Sequence, residues 1–258
     1  MPRTRLLAAL LTLSLAAGGT ALARPAAAQV TDAQSLVRAM HDRYAGKWYQ
    51  SMAFTQKTTR VRPDGTEGVE TWDEYGLFPG RLRIETPAKS ANGVIYAGDS
   101  VFVVREGRTV ARRADRNPLM VVGFDVYILP PERSLELIRA NGFPLEPFRT
   151  DTWQGRPAYV VGGAPGDLRS PQLWFDAERL VFTRMIRPDS RDSTKTQEIR
   201  FNRYEPSGGG WVAPEVEFFV GGTRVMLEEY SNVRVNLPMD PSLFDPERWT
   251  TAVHPPAP

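Results

Sequence analysis

Apolar residues near the start of the chain recur at the spacing of a helix. Those on the shared face of residues 31–46 are Leu36, Val37, Met40 and Tyr44. Thr31 is followed three residues later by Gln34, which is the spacing of a capping box at a helix start. Gly46 is of the residue type that commonly follows a helix end. The pattern predicts an amphipathic helix with one buried stripe.

From Ser51 onward the hydrophobic period changes to two, which is typical of half-buried strands. Turn residues such as Pro63-Asp64-Gly65 and Pro79-Gly80 separate the alternating runs. The strands predicted in the first half begin at Ser51 and then cover residues 69–78, 81–85, 94–97, 101–105 and 109–112. Those predicted in the second half cover residues 155–161, 172–175, 180–187, 196–204, 211–220 and 223–233. Runs this close together indicate antiparallel meanders.

Residues 120–129 interrupt the alternation because they are apolar on nearly every side. A helical segment without a polar face must be covered all round. Met120 can adapt to irregular partners such as acyl chains. Pro130-Pro131 then opens a short predicted helix that ends near Asn141. The segment is predicted either to plug the concave side of the sheet or to line a cavity there.

These elements together predict an α+β fold that is mainly antiparallel β. A single curled antiparallel sheet would carry helices over its concave apolar face, and a ligand could lie between the two. The sequence shows no internal repeat, which disfavours a propeller. With no long polar linker, residues 29–250 are predicted to form one domain, followed by a Pro-rich tail over residues 251–258.

The first 28 residues have the pattern of a secretory signal peptide, with Arg3 and Arg5, an apolar run and small residues that end at Ala28. Cleavage after Ala28 would remove three arginines and no acid, which changes the formal charge from +2 to −1. A basic surface for nucleic acid is therefore not expected. The chain has no cysteine, which excludes disulfides, thiolate metal sites and a lipid-anchoring cysteine. A soluble periplasmic monomer without a membrane anchor is expected.

Candidate catalytic groups are few. The two histidines are His41, beside charged residues of the first helix, and His254 in the tail. The sequence lacks the common motifs for zinc-dependent hydrolysis, serine nucleophiles and phosphate binding. The sequence therefore predicts no enzyme, no catalytic residue, no metal and no other cofactor.

Acidic residues offer one further possibility. Glu70 and Glu74 share a face of their predicted strand, and Asp73 points to the other side. A paired-carboxylate hydrolase is conceivable, but a charged outer edge of the strand is the favoured interpretation. Glu228 and Glu229 alternate across a strand and cannot act together.

Several features, in their order along the chain, resemble the LolA-like periplasmic carriers of outer-membrane lipoproteins and the broader lipoprotein-sorting-like family. The clearest match is Phe54-Thr55-Gln56-Lys57 on the first strand. The others are the preceding amphipathic helix, the Pro79 break with Leu82-Arg83-Ile84, the Gly98-Asp99 turn and the closing Phe244-Asp245-Pro246. The resemblance covers about residues 31–249 and is firmest over the first third.

That resemblance implies an incomplete β-barrel whose helical lid covers an apolar cavity for acyl chains. It implies no reaction and no cofactor, with membrane-associated donor and acceptor proteins as partners. Carriers of this kind place an Arg just before the Pro of the second strand break, where it latches the lid. Phe78 occupies that position here.

We therefore expect a carrier that shields the acyl chains of lipoproteins or lipids and ferries them towards the outer membrane. The alternative is an envelope sensor or interaction module on the same fold that binds a regulatory partner. The residues predicted to line the lipid-binding cavity are Phe54, Trp72, Leu82, Ile84, Tyr96, Phe102, Met120, Val122, Phe124, Leu135, Ile138, Phe175, Met185, Phe201 and Phe218.

Overall fold

The computed structural model describes residues 29–256, so the predicted signal peptide and the last two residues lie outside the described part. The helices are α1 (Ala33–Tyr44), α2 (Pro118–Gly123) and α3 (Pro131–Ala140), with 3₁₀ turns at Asp125–Tyr127, Pro241–Phe244 and Pro246–Arg248. The strands are β1 (Ser51–Val61), β2 (Glu67–Leu77), β3 (Arg81–Glu85), β4 (Gly93–Ala97), β5 (Ser100–Arg105), β6 (Arg108–Ala114), β7 (Phe148–Trp153), β8 (Arg156–Val161), β9 (Gln172–Asp176), β10 (Val181–Pro188), β11 (Thr196–Asn202), β12 (Glu205–Ser207), β13 (Gly210–Val212), β14 (Glu215–Val220) and β15 (Thr223–Val235).

Helix α1 begins with a capping box one residue later than predicted. The carboxylate of Asp32 accepts a hydrogen bond from the Ser35 amide at 2.6 Å, and the Asp32 amide donates to the Ser35 hydroxyl at 3.0 Å. The prediction of Thr31 and Gln34 as the capping pair is therefore wrong. The predicted apolar stripe is confirmed, because its four members are buried: Leu36, Val37, Met40 and Tyr44.

Within residues 29–256, thirteen strands form one antiparallel sheet in the order β6-β5-β4-β3-β2-β1-β15-β14-β11-β10-β9-β8-β7. Neighbours within each half follow the chain as meanders, and the halves join where β1 pairs with β15. Strands β6 and β7 end the row without pairing to each other, so the sheet stays open. The predicted fold class, a mainly antiparallel incomplete barrel with few helices, is confirmed.

Two predictions in the second half are wrong. Strand β7 was not predicted, because an edge strand such as Phe148–Trp153 buries few apolar positions and shows no clear alternation. The strand predicted over residues 211–220 is two strands separated at Pro214. Proline has no amide hydrogen to donate to a neighbouring strand, so the regular strand pairing is interrupted there. The upstream part, β13, forms a small separate hairpin with β12.

The segment from α2 to α3, residues 118–140, lies over the concave face of the sheet and is called the lid below. Helix α1 packs against α3 and against the 3₁₀ turn of the lid. Val121, Val126 and Tyr127 are buried in one hydrophobic cluster with residues of α1 and of the sheet. The nearly all-apolar sequence of residues 120–129 is explained by this position between two layers.

The opposite, convex face of the sheet is covered by the C-terminal segment, residues 241–256. Leu243, Phe244 and Trp249 pack against Ile95 and Val104 in a second, smaller hydrophobic cluster. The chain therefore covers its sheet on both sides, with helices on one face and irregular structure on the other.

Candidate functional site

A cavity of about 210 Å³ lies between the lid and the concave face near the β1–β15 junction. It is built where β1, β2 and β3 meet β14 and β15, with the start of α2 above them. Its walls are mostly apolar, and the lining residues are Met52, Phe54, Trp72, Glu74, Gly76, Phe78, Leu82, Ile84, Asn117, Leu119, Met120, Phe124, Phe201, Val216, Phe218, Met226, Glu228 and Tyr230.

Alternation along the strands positions these side chains. On β1, Met52 and Phe54 face the cavity, and Phe54 pairs with Glu74 of β2 across the ladder. On β3, Leu82 and Ile84 face the same side, and Tyr230 of β15 pairs with Gln56. The wall is thus assembled from strands that are far apart in sequence but adjacent in the sheet.

Of the residues predicted for the cavity, eight line it: Phe54, Trp72, Leu82, Ile84, Met120, Phe124, Phe201 and Phe218. Five others are buried in the main core instead, three on the lid and two on strands β9 and β10: Val122, Leu135, Ile138, Phe175 and Met185. Tyr96 pairs with Leu82 but lies outside the cavity wall. Phe102 lies on the convex face, where it packs against the cluster under the C-terminal segment.

Lining residues that the sequence reasoning missed fall into two groups. Met226, Glu228 and Tyr230 alternate on β15, and this periodicity was a usable signal for a shared face. Met52, Gly76 and Val216 also alternate with predicted lining residues on β1, β2 and β14 and carried the same signal. Phe78, Asn117 and Leu119 carried no such signal, since they belong to a turn or to a helix start. Glu74 was considered only as part of a catalytic or surface cluster.

The lid is fastened to the sheet by an aromatic contact. The ring of Phe78, which follows β2, stacks on Phe124 of the lid with 4.5 Å between centroids and 5° between planes. Phe78 is the residue that stands where LolA-like carriers are expected to have the latching Arg. At this position an apolar stack replaces a cationic latch.

A polar contact lies beside this stack. The buried carboxylate of Asp125 accepts a hydrogen bond from the Gly80 amide at 2.9 Å and from Arg116 at 2.9 Å. Gly80 has φ +80°, a conformation that glycine adopts without strain, and this turns its amide towards the lid. Burial raises the pKa of Asp125, although both hydrogen bonds oppose that rise. Arg116 also pairs with exposed Asp99.

Two acidic side chains are buried in the cavity wall. Glu74 is 6% exposed and Glu228 is 8% exposed. Burial and the nearby charge of Glu228 raise the pKa of Glu74 well above its ordinary value. Burial raises the pKa of Glu228 to about 7, against the opposing effects of Tyr230, Gln56 and Arg60. The interpretation of Glu74 as part of a charged outer edge is wrong.

The three acids considered for hydrolysis do not converge. Glu70 is exposed and accepts a hydrogen bond from the Trp72 indole at 3.0 Å. Asp73 faces the convex side, where it accepts from Thr55 at 3.0 Å. Within residues 29–256, no group of three or more His, Asp or Glu side chains is arranged to hold a metal ion.

A larger groove, about 660 Å³, lies on the convex face between the sheet and the C-terminal segment. Its lining carries charged side chains of both signs, among them Arg83, Glu85 and Lys89. Arg83 contacts Glu85 at 2.7 Å, and His254 contacts Glu85 at 2.7 Å. By comparison, the walls of the cavity under the lid are mostly apolar. The smaller cavity under the lid is therefore the candidate site for an apolar ligand.

Comparison with solved structures assigns the fold. The chain has a LolA-like fold, and three solved structures show it. They are an outer membrane lipoprotein-sorting protein domain from Vibrio parahaemolyticus, a DUF1329 family protein from Desulfovibrio piger and a LolA superfamily protein from Nitrosomonas europaea.

These likenesses extend over most of each chain at low sequence identity. The Vibrio domain has a TM-score of 0.58 at 10% identity, with 82% of this chain and 95% of that one covered. The Desulfovibrio protein has a TM-score of 0.54 at 14% identity, with 83% of this chain and 98% of that one covered. The Nitrosomonas protein has a TM-score of 0.53 at 11% identity, with 83% of this chain and 97% of that one covered. Neither a protein-family model nor a curated protein sequence matches the chain. None of the described helices is long and apolar enough to cross a membrane.

Proposed function

We propose that the protein is a soluble periplasmic carrier that holds acyl chains of lipoproteins or lipids under its lid and ferries them towards the outer membrane. The observation that carries the proposal is the apolar cavity between the lid and the concave face, built on a fold shared with a lipoprotein-sorting domain and a LolA superfamily protein. The carrier acts by binding and release, without catalysis.

The size of the cavity bears on how a chain is held. Pockets that enclose whole small-molecule ligands have volumes of about 300–1,000 Å³, and this one has about 210 Å³. A long acyl chain therefore needs the lid to move outward. The Phe78–Phe124 stack is the contact that must separate first, because it bridges the sheet and the lid beside the cavity.

The energetics suit a carrier. Covering an acyl chain contributes about 0.8 kcal/mol per CH₂ relative to water, so a 16-carbon chain gains on the order of 12 kcal/mol. Nearly the same amount is lost when the chain leaves a membrane. Loading is thus close to neutral, and direction must come from donor and acceptor proteins at the two membranes.

The proposal is tested by native mass spectrometry of protein purified gently from periplasm and by uptake of a fluorescent fatty acid. We expect co-purified lipid or lipopeptide and saturable uptake. Leu82→Trp, which fills the cavity from β3, should lower uptake at least tenfold. The matched control is Val110→Trp, because Val110 is 60% exposed on edge strand β6.

Absence of both co-purified lipid and uptake would refute the carrier. A pull-down that returns an inner-membrane regulator instead of lipid would favour the alternative, an envelope sensor or interaction module. Equal loss of uptake in the Leu82 and Val110 variants would show that the cavity is not the binding site.

A further inference from the structure

Two buried carboxyl groups face the cavity from the strands on either side of β1. Glu74 of β2 pairs with Phe54, and Glu228 of β15 pairs with Thr58. Phe54 and Thr58 both lie on the concave side of β1, so both carboxyl groups point to the same space. Both line the cavity. We call these two carboxyl groups, together with the Gln56 side chain that lies between them on β1, the acidic pole.

The acidic pole has more hydrogen-bond acceptors than the protein satisfies. The Tyr230 hydroxyl donates to Glu228 over a long 3.4 Å. Gln56 Nε2 donates to the Thr58 hydroxyl at 2.8 Å, while Gln56 Oε1, fully buried, has no partner among residues 29–256. In the same part of the chain no donor reaches the Glu74 carboxyl group, which is more than nine-tenths buried.

Buried polar groups in folded proteins are almost always hydrogen-bonded. A carboxyl pair retained for stability alone would therefore be expected to have donors from the protein. Here the Glu74 carboxyl group, which receives no hydrogen bond from residues 29–256, lines a cavity with mostly apolar walls.

The charged and titratable groups around the pole come from three strands: Arg60 of β1, Tyr230 of β15 and Tyr96 of β4. Arg60 lies over the Trp72 ring at 5.1 Å and attracts Glu228 weakly. The residues that face the pole from α2, β3 and β14 carry no titratable side chain: Asn117, Leu119, Met120, Leu82, Ile84, Val216 and Phe218. The pole is therefore net acidic above neutral pH.

We infer that the acidic pole selects ligands whose apolar body ends in a cationic amine. This inference rests on the proposed function and names the class of lipid that the cavity prefers. An ammonium group carries three donors and one positive charge, which match the carboxyl oxygens that Glu74 and Glu228 present to the cavity. The apolar chain lies against Phe54, Trp72 and the lid. An anionic end group is repelled by the same oxygens.

Amine binding is coupled to proton release because the Glu74 and Glu228 carboxyl groups are buried. Burial raises the pKa of both carboxyl groups, that of Glu228 to about 7, and the charge of Glu228 raises the pKa of Glu74 further, so the empty site keeps a proton near neutral pH. A bound ammonium replaces that proton. Amine binding should accordingly release a proton and weaken as the pH falls from 8 to 6.

The test compares three ligands of equal chain length, dodecylamine, dodecanol and dodecanoate, each below its micelle concentration. Displacement of a bound fluorescent acyl probe at pH 8 gives the affinities. We expect dodecylamine to bind at least tenfold tighter than dodecanol, with dodecanoate weakest. Calorimetry in two buffers of different ionisation enthalpy should show proton release with dodecylamine and none with dodecanol.

Glu74→Gln and Glu228→Gln keep the side-chain shape and remove the charge. Each substitution should lower the affinity for dodecylamine about tenfold or more, which is the size expected for a lost charge-assisted hydrogen bond. The affinity for dodecanol should change less than twofold. Glu229→Gln is the matched control, because Glu229 is the sequence neighbour, pairs with Lys57 at 2.9 Å and faces outward.

The outcomes separate the two proposals. Equal affinity for amine and alcohol, without proton release in the wild type, would overturn the acidic pole while the carrier stands. Binding of none of the three ligands would overturn the carrier and with it the preference for amines. The proton-release measurement needs no variant, so a folding defect in a Gln variant does not obscure the result.

Discussion

Asp125 occupies a position where a single side chain fastens the lid. Its carboxylate is fully buried and bonds both the Gly80 amide of the sheet and Arg116, which precedes the lid. Arg116 also reaches Asp99, whose side chain is 71% exposed. One arginine thus has a buried and an exposed acidic partner, and this allows their contributions to be compared.

We predict that Asp125→Asn lowers the free energy of unfolding by about 3 kcal/mol, because Arg116 loses its buried carboxylate partner and keeps only the exposed Asp99. Urea denaturation measures this change. Asp99→Asn is the control and should lower the free energy of unfolding by less than about 1 kcal/mol, because exposed ion pairs contribute little to stability. Similar losses of unfolding free energy in the two variants would show that the burial of Asp125 does not strengthen its contribution to stability.

Sequence alone could predict the apolar residues of the site better than the acidic ones. Phe54, Leu82 and Ile84 were found because alternation marks the inner face of a strand. Glu74 and Glu228 were missed because a charged residue is exposed in most proteins, and burial becomes visible only when the cross-strand neighbours are known. Those neighbours lie on strands distant in sequence.

At the scale of elements, the C-terminal segment is held to the sheet by one side chain of β3. Arg83 donates to the carbonyl oxygens of Leu243 at 3.2 Å and Trp249 at 2.8 Å, and its guanidinium lies 3.8 Å from the centre of the Trp249 ring. Its charge is balanced by Glu85, which also contacts His254. Burial raises the pKa of Glu85, but these partners together hold it below its ordinary value.

We predict that Arg83→Met releases the C-terminal segment and lowers the free energy of unfolding by about 3 kcal/mol, because Glu85 would remain buried with its main cation gone. Hydrogen exchange over residues 241–252 should become markedly faster than in the wild type. Arg81→Met, on the same strand but exposed, serves as the control and should leave exchange unchanged. Unaltered protection in Arg83→Met would mean that the apolar cluster alone holds the segment.

The element boundaries that sequence could predict were those with regular alternation. Residues 81–85 were predicted as a strand and are β3 in the structure. The edge strand β7 and the break at Pro214 were missed, since their form depends on what lies beside them. The packed lid was anticipated from its apolar composition, but its contact through Phe78 and Asp125 depends on tertiary structure.

At the scale of the whole molecule, the buried acids make stability depend on pH. The pKa of Glu228 is raised to about 7 in the folded protein and is near 4.3 in an unfolded chain. Between these values the folded state binds more protons than the unfolded state. The contribution of Glu228 to stability is therefore fully present below about pH 4.3 and is lost as the pH rises to about 7.

We predict that the free energy of unfolding of the wild type falls between pH 5 and 7.5 relative to that of Glu228→Gln, which carries no titratable group there. Urea titrations at half-unit pH intervals measure both curves. The difference should approach a few kcal/mol, given about 1.4 kcal/mol per pKa unit. Parallel curves for the two proteins would mean that Glu228 titrates normally.

Overall topology was the level least accessible to sequence. Short connections predicted meanders, and these account for the pairing within each half of the sheet. The pairing of β1 with β15 joins segments with no local signal for each other. The cavity forms at that junction, so its location could not be predicted from local patterns.

The β1–β15 pairing also bears on how the chain is made. Thr55 pairs with Ser231, and the two are 176 residues apart. During synthesis one edge of β1 stays unpaired until nearly the whole chain has emerged, since β15 is the last strand. Contacts of such long sequence separation form slowly, and an open strand edge in a nascent chain invites pairing with other chains. A strand that lies near the middle of the finished sheet is thus an exposed edge while the chain is still growing.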